Sequence, residues 1–338
     1  MASFDSQQVT GVAVSKSGRV FVNFPKWSDD HSISVGEIKE GKPVPYPNEE
    51  WNKAGEAKSH FVCVQSVYVD DADDLWILDP ASPKFEGVVK DGPKLLRVNL
   101  TTNEIAQTIR FDDEIAPAKS YLNDVRVDTK SGYAFITESG EGSLVVVNLK
   151  TGKSRRVLVG HSSTKAEPEM QLTVEGRELV DEKTGKTPQF NADGIALDPR
   201  SDALYYHALT GHSLYRIKTA FLTDENISDS ELVSKVEKVM TTPAPDGMLI
   251  GKDGSVYLAC IEQNAVARYE PGPNKFTTIV TDQKLRWPDS MSWGPDEMLY
   301  VTASQIQNMP RFNGGKDART EPYKVYKFRL PPPAPQKK

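Results

Sequence analysis

One arrangement of polar and apolar positions recurs six times along this chain. Each copy opens on a polar residue, continues with alternating apolar positions, turns, and ends in a second apolar run that holds an aromatic or β-branched residue. The copies are TGVAVSKSGRVFVNF from Thr10, QSVYVDDADDLWILD from Gln65 and NDVRVDTKSGYAFITE from Asn123, then DGIALDPRSDALYYHA from Asp193, DGMLIGKDGSVYLAC from Asp246 and DSMSWGPDEMLYVTA from Asp289. Alternation with a period of two places one face of a strand toward a core. The polar middles, such as Lys16-Ser17-Gly18 and Gly294-Pro295-Asp296, supply turn geometry, so each copy predicts a β-hairpin. Most copies are followed by a second pair: Leu95–Val98 with Ile105–Ile109, Leu144–Val147 with Arg156–Val159, Leu214–Ile217 with Val236–Val239, and Val266–Tyr269 with Thr277–Val280. About four strands per unit, repeated six times, predicts an all-β, six-bladed β-propeller with four-stranded blades around a central tunnel. A β-sandwich is the competing reading, but it does not explain one polar residue at a fixed offset in every copy.

The 338 residues suffice for a sizeable core, and all-β domains of this size occur as one unit. We therefore expect a single propeller over residues 1–330 and an extended Pro-rich tail, PPPAPQKK, over 331–338. A short capped helix is expected within Asp224–Lys238, inserted in the fourth blade. The stretches PKWSDDH and KPVPYPNEEW read as loops, with Trp27 and Trp51 as rim or packing residues. Cys63 and Cys260 both sit in apolar runs, which suggests buried thiols, and a bridge between them is not readable. The net charge is −6, and no basic stripe marks a nucleic-acid face; SRRVLV around Arg155 and Arg156 reads as a solvated strand. No apolar run has the length of a membrane span, and the N-terminus has no basic and apolar leader, so neither membrane insertion nor a signal peptide is expected. A monomer acting on or binding a small molecule is the expectation.

Aligning the repeats on their first strand brings Thr10, Gln65, Asn123, Asp193, Asp246 and Asp289 to one position, with Asp124 beside them. The innermost strand of each blade lines the tunnel, so these side chains should form a ring at one mouth. Clustered carboxylates repel unless a cation, shared protons or water relieves them. Oxygen donors alone suit a hard cation, so Ca²⁺ on Asn123, Asp193 and Asp246 is one expectation. The alternative is structural, with each Asp bonding its own backbone in a turn. His207 and His212, in YYHALTGHSLY, are candidates for proton transfer, and Glu138, in ITESGEGS, could reach a ligand. Trp27 and Trp287 are candidate apolar walls. There is no G-x-S-x-G elbow, phosphate-binding loop, H-E-x-x-H or G-x-G-x-x-G, so neither covalent serine chemistry nor a nucleotide cofactor is supported.

Several of these segments together resemble the major royal jelly and Yellow proteins, specifically the bacterial members. The carriers are GVAVSKSGRVFVNFPKW from Gly11, LWILD from Leu75, YLNDVRVD from Tyr121, ADGIALDPRSDALYYHALTGHSLYRI from Ala192 and QNMPRFNGGKDARTEPYKVYKFRL from Gln307. The resemblance implies a six-bladed propeller, a secreted or periplasmic setting, and proteins that bind small amines or sterols or are linked to dopachrome conversion. More distantly the chain is similar to gluconolactonase-like propellers, whose metal is held by a Glu, two Asn and an Asp. Asn123 and Asp246 match that set; Asp193 stands where the second Asn would be, and Thr10 where the Glu would be.

Three functions follow as expectations. One is a small-molecule enzyme, lactonase-like or an isomerase, with Asp193, Asp246, His207 and Glu138 as catalytic candidates. Another is a non-catalytic binder of a cationic amine, held by charge and cation–π contact, with Thr10, Gln65, Asp124, Asp289, Trp27, Trp287 and His212 around the ligand. The third, a protein-interaction platform, has little specific support in the sequence.

Overall fold

A computed structural model of the chain describes residues 1–29 and 31–330; the expected tail at 331–338 lies outside the described residues. Six four-stranded antiparallel sheets form the blades of a propeller. Blade 1 comprises Gly11–Val14, Val20–Asn23, Val35–Lys39 and Lys42–Pro45; blade 2 comprises Ser66–Val69, Asp74–Asp79, Lys94–Asn99 and Glu104–Arg110. Blade 3 is built from Leu122–Asp128, Tyr133–Glu138, Ser143–Asn148 and Ser154–Val157, and blade 4 from Ala192–Asp198, Ala203–Ala208, Ser213–Lys218 and Glu237–Thr241. Pro245–Ile250, Val256–Cys260, Ala265–Glu270 and Lys275–Thr281 make blade 5. Blade 6 takes Pro288–Trp293, Met298–Ala303 and Tyr323–Arg329, and its outermost strand is the N-terminal Ala2–Phe4. Ala2 pairs with Val325 and Phe4 with Tyr323, so the two ends of the chain close the ring within one sheet.

Hydrophobicity along a strand follows its place in the blade. Inner strands have neighbouring blades on both faces, so Leu75–Leu78 and Ala134–Ile136 are wholly buried. Outer strands such as Glu104–Arg110 and Lys275–Thr281 are largely solvent-facing. The core is therefore a set of wedges between blades. Between blades 2 and 3, for example, Trp76, Leu78 and Leu95 pack on Val125, Ile136 and Val145. Truncating a fully buried ring in such a wedge, as in Phe135→Ala between blades 3 and 4, should cost about 3–5 kcal/mol.

The insertion in blade 4 holds a helix at Asp229–Ser234, with a reciprocal capping box between Ser228 and Glu231. KPVPYPNEEW is not a plain loop: it supplies the fourth strand of blade 1, Lys42–Pro45, and a short helix, Glu49–Asn52. Trp51 packs on Phe61, with ring centroids 5.2 Å apart, away from the tunnel. Both cysteines are free and buried. No helix among the described residues is long and apolar enough to cross a membrane.

Candidate functional site

The innermost strands of blades 3 to 6 each break register at their first residues. The shifts fall between Leu122 and Val125, Ala192 and Ile195, Pro245 and Met248, and Pro288 and Met291. The residues inside these bulges are the repeat's polar positions: Asn123, Asp193, Asp246 and Asp289. A bulge leaves a residue out of the ladder and re-aims its side chain, here toward the tunnel. The glycines that follow two of them permit close blade contact. A Cβ on Gly194 would lie 2.4 Å from the carbonyl oxygen of Asp246, and one on Gly247 would lie 2.3 Å from that of Asp289. The hydroxyl of Thr137 donates to the carbonyl of Asp193 (2.6 Å), fastening blade 3 to blade 4.

Gln65, Asn123, Asp193, Asp246 and Asp289 line one cavity of about 350 Å³ at this end of the tunnel. Trp27 and Trp287 line it too, as the sequence suggested, joined by Phe85, Tyr121, Phe190 and Arg311. Trp27 stacks on Phe85 and Phe85 on Tyr121, at centroid distances of 5.1 and 5.4 Å. The Tyr121 hydroxyl receives the indole N–H of Trp27 (2.8 Å) and donates to Gln65 Oε1 (2.8 Å), which fixes that wall.

The carboxylates at the floor are buried together, and their ionisation is suppressed. Burial is the main cause at Asp193, with the charges of Asp246 and Asp124 adding to it; its pKa lies well above the usual carboxylate range. Asp289 is likewise held well above that range by burial and by the charges of Asp246, Asp193 and Asp124. Asp246 is raised to about 7, again mainly by burial, and is moderated by the indole N–H of Trp287. Asp193 and Asp246 interact directly, and burial together with their mutual charge favours one proton held between the two carboxyls. Trp287 Nε1 lies 2.6 Å from Asp246 Oδ2. To deliver that bond, Trp287 adopts φ = 54°, a left-handed conformation costly for so large a side chain.

Other candidates from the sequence lie elsewhere. Thr10 is buried beside the tunnel with its hydroxyl on Asn23 Nδ2 (3.0 Å), and it does not line the cavity. Asp124 points to Arg126 (3.5 Å) and acts on the cavity only through its charge. Glu138 is fully buried, and its carboxylate accepts the backbone N–H groups of Tyr121, Gly140, Glu141 and Gly142. It organises the blade-3 loop rather than facing a ligand. His207 is enclosed between the Ala208 carbonyl and the Thr242 hydroxyl, and burial lowers its pKa to about 4. His212 forms an ion pair with Glu262 (3.0 Å) outside the cavity. Among the described residues, no three or more His, Cys, Asp or Glu side chains are arranged as metal ligands. Asp193 engages both Asn123 and Asp246, and Asp246 also accepts the indole N–H of Trp287, so these groups satisfy one another and do not fit a cation cage.

A cap that the repeats do not announce covers this mouth. Leu172, Val174 and Leu179 of the blade 3–4 connection pack with Trp287, Ile306, Met309 and Phe312. Arg177 donates to the carbonyls of Gln307 (2.8 Å) and Phe312 (3.1 Å), and Asp181 holds Arg311 (2.7 Å) at the rim.

Residues 62–326 match the family model for the major royal jelly proteins. The chain belongs to that family. Among its relatives, Major royal jelly protein 3 of Apis mellifera is 25% identical over 70% of this chain and 44% of its own length. Protein yellow of Drosophila pseudoobscura pseudoobscura is 27% identical over 90% of this chain and 58% of its own. The chain thus spans about half the length of the curated relatives it matches. Similar solved structures include a gluconolactonase from Xanthomonas campestris (TM-score 0.57, 10% identity, covering 97% of this chain and 88% of that one). A streptogramin B lyase is also similar (TM-score 0.55, 12% identity, 90% and 94% covered). At such identities these likenesses show the propeller fold alone.

Proposed function

We propose that this major royal jelly family protein is an isomerase that moves a proton on a small, flat carbonyl compound in the capped cavity. The observation that carries this reading is the Asp193–Asp246 pair, which shares one proton and in which Asp246 ionises near neutral pH. A general base works best with a pKa close to the operating pH. The Asp246 carboxylate takes a proton from carbon next to the carbonyl, and the Asp193 carboxylic acid gives its proton to the carbonyl oxygen. The product is the enol; the proton then returns from Asp246 to Asp193 along the bond between them. The aromatic walls hold a planar substrate and exclude water from the exchange. No part of this scheme needs a nucleophile or cofactor.

The test is proton–deuterium exchange into a panel of enolisable carbonyl compounds, phenylpyruvate among them, followed by NMR. Exchange that is catalysed by the wild type and lost in both Asp246→Asn and Asp193→Asn supports the reading; no exchange with any member sinks it. The hydrolase version, a lactonase, is tested beside it with lactone substrates. A second reading, capture of a cationic amine without turnover, is favoured by the stacked Trp27, Phe85 and Tyr121 next to the carboxylates. Saturable amine binding with no exchange activity would select it.

A further inference from the structure

The same innermost strands enclose a second cavity, of about 310 Å³, at their opposite ends. Its walls are mostly apolar, with Val14, Leu249 and Trp293 among them, and its charged centre is Arg126. Arg126 is only 6% exposed. Its Nη1 donates to the Val125 carbonyl (2.7 Å) and its Nη2 to the Met248 carbonyl (2.7 Å), while the guanidinium lies 5.2 Å over the Tyr68 ring. The Asp124 carboxylate stands 3.5 Å from Nη2, too far for a good hydrogen bond. The Nε–H has no partner at all. A buried donor left unpaired is costly, and such an orphan points to a missing acceptor.

The other cations at this mouth are already matched. Arg200 is paired with Asp198 (3.0 Å) and Lys252 with Glu297 (3.4 Å). The unmet demand is therefore that of one guanidinium, moderated by Asp124. A doubly charged anion is poorly suited to it, because Asp124 and the rim residue Asp71 would repel the second charge. A single carboxylate matches the planar fork of a guanidinium, and an apolar body behind it would rest on Leu249 and Trp293. We propose that this second mouth binds a small organic carboxylate with an apolar body, anchored by Arg126. The site is separate from the acidic cavity and does not depend on the isomerase reading.

The experiment follows the indole N–H signals of the tryptophans by ¹⁵N NMR during titration with benzoate, using inorganic phosphate as the comparison. Trp293 lines this cavity, whereas Trp27 and Trp287 line the other. Benzoate should shift the Trp293 signal saturably and leave Trp287 in place. Arg126→Gln should weaken this binding at least about tenfold, as expected for a charge-assisted bond, and Asp246→Asn should leave it unchanged. An unmoved Trp293, a shift at Trp287 instead, or a response to phosphate equal to that to benzoate would overturn the proposal. The comparison of Trp293 with Trp287 is made in the wild type, so it decides the matter even where Arg126→Gln does not fold.

Discussion

The indole N–H of Trp287 and the Oδ2 atom of Asp246 lie 2.6 Å apart, joining blade 6 to the acidic floor of blade 5. This bond favours the ionised form of Asp246 and so opposes the effect of burial. Trp287→Phe keeps the ring and removes the donor. The Asp246 pKa should then rise above about 7, and the activity–pH profile should move to higher pH. Stability should fall by about 1.5–3 kcal/mol, the usual worth of a hydrogen bond to a charged group. A pH–rate profile beside a denaturant melt checks both.

Raised carboxylate pKa values make a stability signature with a definite sign. In the unfolded chain Asp246 ionises near the ordinary aspartate value of 3.8, while in the fold it ionises near 7. Its protonated form is therefore favoured by folding, and this contribution is fully present below pH 3.8 and lost as pH rises through about 7. Asp193 and Asp289 act in the same direction. Asp246→Asn removes the charge that must be buried at high pH. The variant should melt furthest above the wild type at pH 8, with the gap closing steadily as pH falls toward 3.8, while losing activity; melting curves across that range measure the effect.

Glu138 looked catalytic in the sequence and sits in a cage of backbone donors, with Arg156 3.5 Å away. Glu138→Ala would leave several buried N–H groups without an acceptor. We expect a loss of about 3 kcal/mol or more in chemical denaturation, a larger penalty than from any surface carboxylate.

The repeats carried the architecture because each blade reuses one solution: an inner hairpin with continuous apolar runs and a polar residue at its start. They also placed Asn123, Asp193, Asp246 and Asp289 at one mouth, since equivalent positions in a ring must converge. The bulges that turn these side chains inward were not visible, because a register shift has no residue signature beyond the glycines at Gly194 and Gly247. The closing strand at Ala2–Phe4 was missed because it is three residues long and pairs with residues at the far end of the chain. Tyr121, Phe85 and Arg311 come from loops and the cap, outside the repeat, so no alignment of blades could find them. His207 shows the converse. Histidine chemistry suggested proton transfer, and only packing reveals both ring nitrogens engaged by Ala208 and Thr242.

Proton sharing within the ring carries a consequence for calcium. Asp193 and Asp246 satisfy one another and Trp287, so adding Ca²⁺ or a chelator at pH 6 should leave the melting temperature unchanged. A stabilisation that grows with Ca²⁺ and disappears in Asp246→Asn would restore the metal reading of Asn123, Asp193 and Asp246.

The central claim is that one tunnel carboxylate ionises near neutrality while its partner holds a proton. Carboxyl ¹³C NMR of aspartate-labelled protein, titrated with pH, tests this most directly. The account predicts one aspartate titrating near pH 7 that vanishes in Asp246→Asn, together with others titrating above the ordinary carboxylate range. A spectrum in which every aspartate titrates in the ordinary carboxylate range would contradict it.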